Sequence, residues 1–313
     1  MDTILMLEPV FTHNIWGGTR LHNDFGYDVE GNDIGECWGI AAHPNGAAAI
    51  TNGECKGMTL AEAFKSKPEL FGNIGGDVFP LLIKIIDAND NLSIQVHPDD
   101  AYAKVNENGS LGKTECWYII DCPEGADLVV GHNARTREEL ASMIHEGRWN
   151  EFIRKIPIKK GDFIQIDPGT VHAITSGCLI LETQQNSDIT YRVYDYDRLQ
   201  NGKPRELHVE KSIDVISVPA KSAEDSISHT PERSESASDL LIENSFYNVF
   251  KITVNGTLDF EQKYPFLNVS VIDGEGEVNG TPIKKGSHLI LTNACKDAKF
   301  TGNMTIIAST VAK

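Results

Sequence analysis

A five-residue string, Pro157-Ile158-Lys159-Lys160-Gly161, returns 125 residues later as Pro282-Ile283-Lys284-Lys285-Gly286, and each copy runs straight into an apolar strand. A second, looser echo links Ile120-Asp121-Cys122-Pro123-Glu124-Gly125 with Ile272-Asp273-Gly274-Glu275-Gly276, at an offset of about 152 residues. A chain that repeats itself in this way folds as two copies of one unit. The mismatch between the offsets places an insertion of roughly 27 residues in the first copy, between about residues 130 and 157. That interval reads as helix. Thr136-Arg137-Glu138-Glu139 forms a capping box, and Leu140, Met143, Ile144, Trp149, Phe152 and Ile153 follow at near-helical spacing. The remainder is short strands punctuated by Gly, Asn and Asp, apart from a short helix from Leu60 capped by Thr59 and ending before Pro68. The expectation is two β-barrels with a helical insertion in the first.

Chemistry concentrates in the first copy. In Leu92-Ser93-Ile94-Gln95-Val96-His97, read as a strand, Leu92, Ile94 and Val96 face one way while Ser93, Gln95 and His97 face the other. Pro98 then stops the strand. Glu115 opens the strand Cys116 to Ile120, and His172 follows the tight turn Pro168-Gly169 after an apolar strand. Two histidines, a carboxylate and an amide oxygen make a divalent-metal set, with zinc the first expectation. Each histidine taken alone is more often a hydrogen-bonded structural residue, and Glu115 alone could be a solvated strand end. At the repeat offsets Glu115 falls opposite Leu267 and His172 opposite Asp297, so the second copy is expected to be structural and metal-free.

Three further residues bear on catalysis. Lys113, two before Glu115, shares its strand face. Arg192 sits among Tyr191, Val193 and Tyr194 with no evident partner, and Glu182 follows Leu179-Ile180-Leu181 on a strand. Glu182, Asp188 and a metal-bound hydroxide all remain open as the base. The other eight histidines, His208 and His288 among them, carry no ligand context.

Bulk properties narrow the partners. With 313 residues, 40% hydrophobic and 23% charged, the chain has the make-up of a globular protein of two domains. No apolar run reaches membrane-spanning length and no signal-peptide pattern opens the chain, so a cytoplasmic setting is expected. A net charge of −17 disfavours nucleic acid and anionic membranes. Six cysteines without a C-x-x-C pair read as reduced and mostly buried.

The His172 context and the polar pair near His97 resemble the two signatures of a metal-binding cupin, with Gln95 where the first signature usually carries histidine. Over longer stretches the chain resembles the type I mannose-6-phosphate isomerases in their short bacterial form. The matching segments are Asn14 to Gly18, Gly35 to Ile40, Phe79 to Ala88, Leu92 to Asp99, Lys113 to Glu115, Pro168 to His172 and Thr190 to Tyr196. The resemblance implies one zinc held by Gln95, His97, Glu115 and His172, with Arg192 in the active site. It also implies reversible conversion of mannose 6-phosphate to fructose 6-phosphate through an enediol. It leads us to expect a mainly β chain of two cupin-type (jelly-roll) barrels. Residues 1–220 would form the catalytic domain with a helical insertion at about 132–156, 221–239 a linker or exposed loop, and 240–313 a degenerate barrel. The chain would work as a monomer or weak homo-oligomer on a small phosphosugar. The competing readings are a glucose-6-phosphate isomerase, a non-haem iron oxygenase and a non-catalytic sugar-binding bicupin.

Overall fold

The computed structural model describes residues 2–312. Three antiparallel sheets dominate the fold. A seven-stranded sheet runs in the order Ile227–His229, Asp162–Ile166, Glu115–Asp121, Leu179–Gln185, Leu81–Asp87, Ile34–Ile40, Val10–Gly18. Facing it, a five-stranded sheet runs Ile153–Pro157, Asp127–His132, His172–Ala173, Ile94–Val96, Tyr191–Tyr194. The third sheet has eight strands and contains the C-terminal copy.

The duplication holds to the level of single hydrogen bonds. In the first copy Ile166 pairs with Glu115 and Phe163 with Tyr118; in the second Leu291 pairs with Leu267 and His288 with Ser270. These are the same rungs at offsets of 125 and 152. The Lys-Lys-Gly turns match too. Gly161 N–H donates to the Ile119 carbonyl and Gly286 N–H to the Val271 carbonyl, with φ of +88° and +87°. That left-handed conformation is why glycine ends both strings.

The insertion is the helix pair Arg137–His145 and Trp149–Phe152; Thr136 accepts the Glu139 N–H as cap. The second copy instead turns at Asn279-Gly280. The first helix buries Leu140, Met143 and Ile144. With Phe152 and Ile213 they cover the outer face of the five-stranded sheet, formed by Ile94, Val96, Val129, Val171 and Val193. A sheet so covered reads as apolar outward and polar inward, which is the pattern of Ile94 to His97; Leu92, ahead of the strand, departs from the expected alternation and packs inside the barrel with Trp117 and Ile119.

The central strands Glu115–Asp121, Leu179–Gln185 and Leu81–Asp87 are buried on both faces except for Asp121, and apolar residues dominate each apart from the few polar side chains turned to the barrel interior. Trp117, Ile119, Ile164 and Ile180 fill the first barrel, while Cys116, Tyr118, Ile120 and Leu181 pack against Tyr247, Val249, Ile272, Ile290 and Ile307 of the C-terminal copy. The interior of the second barrel is apolar: Leu267, Val269, Leu289, Leu291, Phe300 and Ile306. All six cysteines are free and five are buried.

Two boundaries differ from expectation. The C-terminal barrel is not 240–313 alone, since Ile4–Glu8 and Ala49–Ile50 belong to its sheet. Without them His288–Leu291 would end the sheet on unpaired backbone groups, a liability that N-terminal residues remove. The segment 221–239 is not a free loop either. Ile227–His229 pairs along Asp162–Ile164, and Ala237 begins a strand paired to Thr253. The low apolar content of this segment reflects an edge strand, which buries little.

Candidate metal centre and catalytic cavity

Inside the first barrel His97, Glu115 and His172 meet with every ligand atom within 4.8 Å of the others, and all three are buried. His97 Nε2 lies 3.4 Å from Glu115 Oε2, and His172 Nε2 lies 3.3 Å from Glu115 Oε1. Gln95 is the register partner of His172, and its amide nitrogen lies 3.2 Å from His172 Nε2. Donors each about 2.1 Å from a tetrahedral ion stand about 3.4 Å apart, which is the spacing seen.

The imidazoles are oriented for this role. His97 Nδ1 lies 2.7 Å from the Ile189 carbonyl and His172 Nδ1 lies 2.8 Å from the Thr170 carbonyl. A carbonyl can only accept, so each Nδ1 carries the proton and each Nε2 offers a lone pair to the centre. Burial, reinforced by Lys113, pushes His97 down to about 3, and burial lowers His172 as well. Both are therefore neutral ligands at ordinary pH. Neither oxygen of Glu115 accepts a well-formed hydrogen bond, although the Lys113 ammonium lies 2.6 Å from Oε2. Burial opposes ionisation of Glu115, but the Lys113 ammonium beside it holds its carboxyl well below the usual range. Lys113 also lies 3.1 Å from His97 Nε2, so its ammonium supplies the positive charge that these donors call for. The residues fit a divalent cation.

Beside the centre opens a cavity of about 330 Å³ lined by Gln95, Lys113, Glu182 and Arg192, together with Glu36, Lys84, Arg205 and His208. All seven residues singled out in the sequence thus converge, with Gln95, His97, Glu115 and His172 at the ion position and Lys113, Glu182 and Arg192 around it. Glu182 is buried; Trp117 Nε1 donates to its Oε2 at 3.0 Å, and Oε1 lies 3.6 Å from Lys84 and 3.9 Å from Lys113. Burial first, and the nearby Glu115 second, raise its pKa. Arg192 is the register partner of Gln95. Its Nη1 donates to the Glu206 carbonyl, its Nε has no partner, and it forms no ion pair among the described residues. Arg205, by contrast, is tied to Asp195. Asp188 lies at the rim, half exposed and bonded to Asn45.

Three functional positions escaped the sequence reading. Lys84 is the one charge inside the apolar run Leu81–Ile86, and a buried lysine there signals a partner. That partner is Glu36 at 3.5 Å, itself held by Trp38 Nε1 at 2.7 Å. His208, expected at the surface or in a structural role, lines the cavity and accepts the Arg192 N–H at 3.2 Å. No sequence pattern marks it.

A duplicated cupin in which only one barrel keeps a buried two-histidine, one-carboxylate group is a metal-binding bicupin. Residues 4–120 match the family phosphomannose isomerase type I, catalytic domain, and residues 237–311 match the mannose-6-phosphate isomerase cupin domain. The chain is 49% identical to mannose-6-phosphate isomerase ManA of Bacillus subtilis over 97% of its length and 98% of that protein's. It is 46% identical to the mannose-6-phosphate isomerase of Streptococcus mutans, with the same coverage. The crystal structure of the mannose 6-phosphate isomerase from Bacillus subtilis superposes with a TM-score of 0.90 at 44% identity, covering 98% of this chain and 99% of that one. The Salmonella typhimurium enzyme shares the fold at a TM-score of 0.78 and 14% identity. The chain belongs to the type I mannose-6-phosphate isomerases.

Proposed function

We propose that this chain interconverts mannose 6-phosphate and fructose 6-phosphate at a single zinc centre held by Gln95, His97, Glu115 and His172. The observation that carries the reading is the meeting of that donor set with Lys113, Glu182 and Arg192 around one cavity. The activity itself follows from relatives of that name at nearly half identity over almost the whole chain. Zinc bound there would supply a Lewis acid for the sugar oxygens at C1 and C2. Gln95 joins the set by turning its amide so that the oxygen faces the centre, and its neutrality keeps the net charge that a histidine would give.

The reaction removes a proton from C2 of the aldose and returns it to C1 of the enediol, with the reverse path in the other direction. Glu182 is the group for that proton, because its raised pKa brings it nearer to the operating pH, where a carboxylate is an effective acid and base. Asp188 is the weaker choice, being exposed and already engaged. Lys113 stays protonated, since Glu115 and Glu182 outweigh the burial that would discharge it. It therefore stabilises negative charge without exchanging protons. Arg192 has an unpartnered Nε beside the Gln95 strand, and its planar fork suits a developing enediolate. No helix is long and apolar enough to cross a membrane; a cytoplasmic setting and a small phosphosugar as the substrate complete the proposal. An oxygenase or a purely binding bicupin would leave the cationic cavity unexplained. The test is a coupled assay on mannose 6-phosphate before chelation, after it, and after zinc add-back; activity that survives full removal of metal refutes the reading.

A further inference from the structure

The repeated Lys-Lys-Gly turns have no part in the chemistry above, yet both open onto one cavity. It measures about 720 Å³, more than twice the catalytic cavity, and lies between the two copies. Its walls are related by the duplication. Ile120 faces in from the first copy and Ile272 from the second, Asp121 is matched by Asp273, and Lys160 by Lys285. Each pair keeps the repeat offsets of 152 and 125, so the cavity sits on the pseudo-twofold relation between the barrels.

Its charge differs from that of the rest of the chain. Lys159, Lys160, Lys251 and Lys285 all line it, and none forms an ion pair with a carboxylate among the described residues. Lys251 is buried and donates only to the Thr230 hydroxyl at 3.4 Å and the Pro231 carbonyl at 3.0 Å. Lys285 rests over the Phe25 ring at 4.8 Å. Of the carboxylates on the walls, Asp121 is matched by Arg20 at 2.6 Å, while Asp162 has only the imidazole of His229 at 2.6 Å; Asp162, Glu232 and Asp273 thus stand against four lysines. In a chain with 45 acidic and 28 basic residues, a concavity where four lysines form no ion pair and outnumber the free carboxylates carries a small positive excess that the bulk composition opposes. Burial pulls the Lys251 ammonium down in pKa and outweighs the opposing pull of Asp239 and Glu232, neither of which reaches it as an ion pair. Apolar Ile120, Leu179 and Ile272 give the same cavity a floor.

We propose that this cavity between the copies is a second, non-catalytic site for a small phosphate-bearing anion, held by Lys160 and Lys285 from equivalent positions and by Lys251 below them. It is not an extension of the catalytic cavity. Ile120 and Asp121, which line it with Tyr118, lie at the far end of the strand that Glu115 begins, and the seven residues from Glu115 to Asp121 span about 20 Å. The two cavities share no lining residue.

The test reads each lysine separately. The zinc-loaded full chain is acetylated under limiting reagent with inorganic phosphate, or with chloride at equal ionic strength, and modification is followed peptide by peptide. Phosphate should slow labelling of Lys160, Lys251 and Lys285 by about threefold once the site is two-thirds occupied, while exposed Lys104 and Lys203 are unaffected. Lys285→Glu, with Lys285→Gln as the milder change, should abolish the protection of Lys160 on the opposite copy and leave turnover of mannose 6-phosphate unchanged. Equal labelling in phosphate and chloride would overturn the proposal, as would protection of Lys160 that persists in both Lys285 variants.

Discussion

Leu267 stands in the C-terminal barrel where Glu115 stands in the N-terminal one: each begins a strand, and each pairs with the residue three beyond the equivalent positions Phe163 and His288, namely Ile166 and Leu291. The difference in side chain divides the labour between the barrels. Around Glu115 the interior gathers His97 and His172 into a group able to hold a metal; around Leu267 it closes into hydrocarbon with Val269, Leu289 and Phe300.

Leu267→Glu should therefore create no second metal site, because no histidines converge there. It places an unpaired carboxylate in an apolar interior and should destabilise the fold by about 3 kcal/mol or more. Metal content by mass spectrometry should stay at one per folded chain. Asp297→Ala, at the exposed counterpart of His172, should leave turnover within a few-fold of the parent. A large loss of turnover at unchanged melting temperature would contradict this division.

Glu182→Gln keeps the shape and the Trp117 contact but cannot carry the proton. We expect kcat to fall by about two to four orders of magnitude, with metal content unchanged. A variant with near-parental kcat would shift the role of base to Asp188 or to a metal-bound hydroxide.

Arg192→Ala distinguishes two roles by kinetics. An arginine that only grips phosphate would chiefly raise KM; one that steadies the enediolate would chiefly lower kcat, by roughly two to three orders of magnitude. The pairing of Arg192 with Gln95 favours the second outcome. Arg192→Lys should recover only part of the loss, since it restores charge without the planar fork. Parental kcat and KM in the alanine variant would make the residue structural.

Acid stability should report on His288. Its imidazole is buried against the Tyr27 hydroxyl at 2.8 Å and the Ser270 hydroxyl at 2.9 Å, and burial holds it at about 4. The folded state thus binds this proton less readily than the unfolded chain does. Stability linked to His288 is complete above the unfolded value near 6.5 and falls as pH drops from there towards 4. The loss across that window is about 3 kcal/mol. Chemical denaturation of His288→Gln should show a shallower decline over the same window; parallel curves would contradict the assignment.

How much of this was legible in the sequence follows from the kind of signal involved. The repeat turns were readable because a left-handed glycine between two strands leaves a fixed string, and the offsets then gave the strand register without further help. The metal donors were readable because strand alternation puts Gln95 and His97 on one face. Glu36, Lys84 and His208 were not, since each reaches the cavity through strand or loop neighbours remote in sequence: Lys84 meets Glu36 only because Leu81–Asp87 pairs with Ile34–Ile40. The exchange of Ile4–Glu8 into the C-terminal sheet was also hidden. Its apolar residues say that the strand is buried, not which edge it covers.

The central claim is that His97, Glu115 and His172 hold the ion on which catalysis depends. The most direct test is zinc content and mannose 6-phosphate turnover measured together on the parent and on His172→Ala. The account predicts about one zinc per parent chain, and loss of both zinc and turnover in the variant while the fold is retained. A folded His172→Ala chain that keeps its zinc and its activity would contradict it.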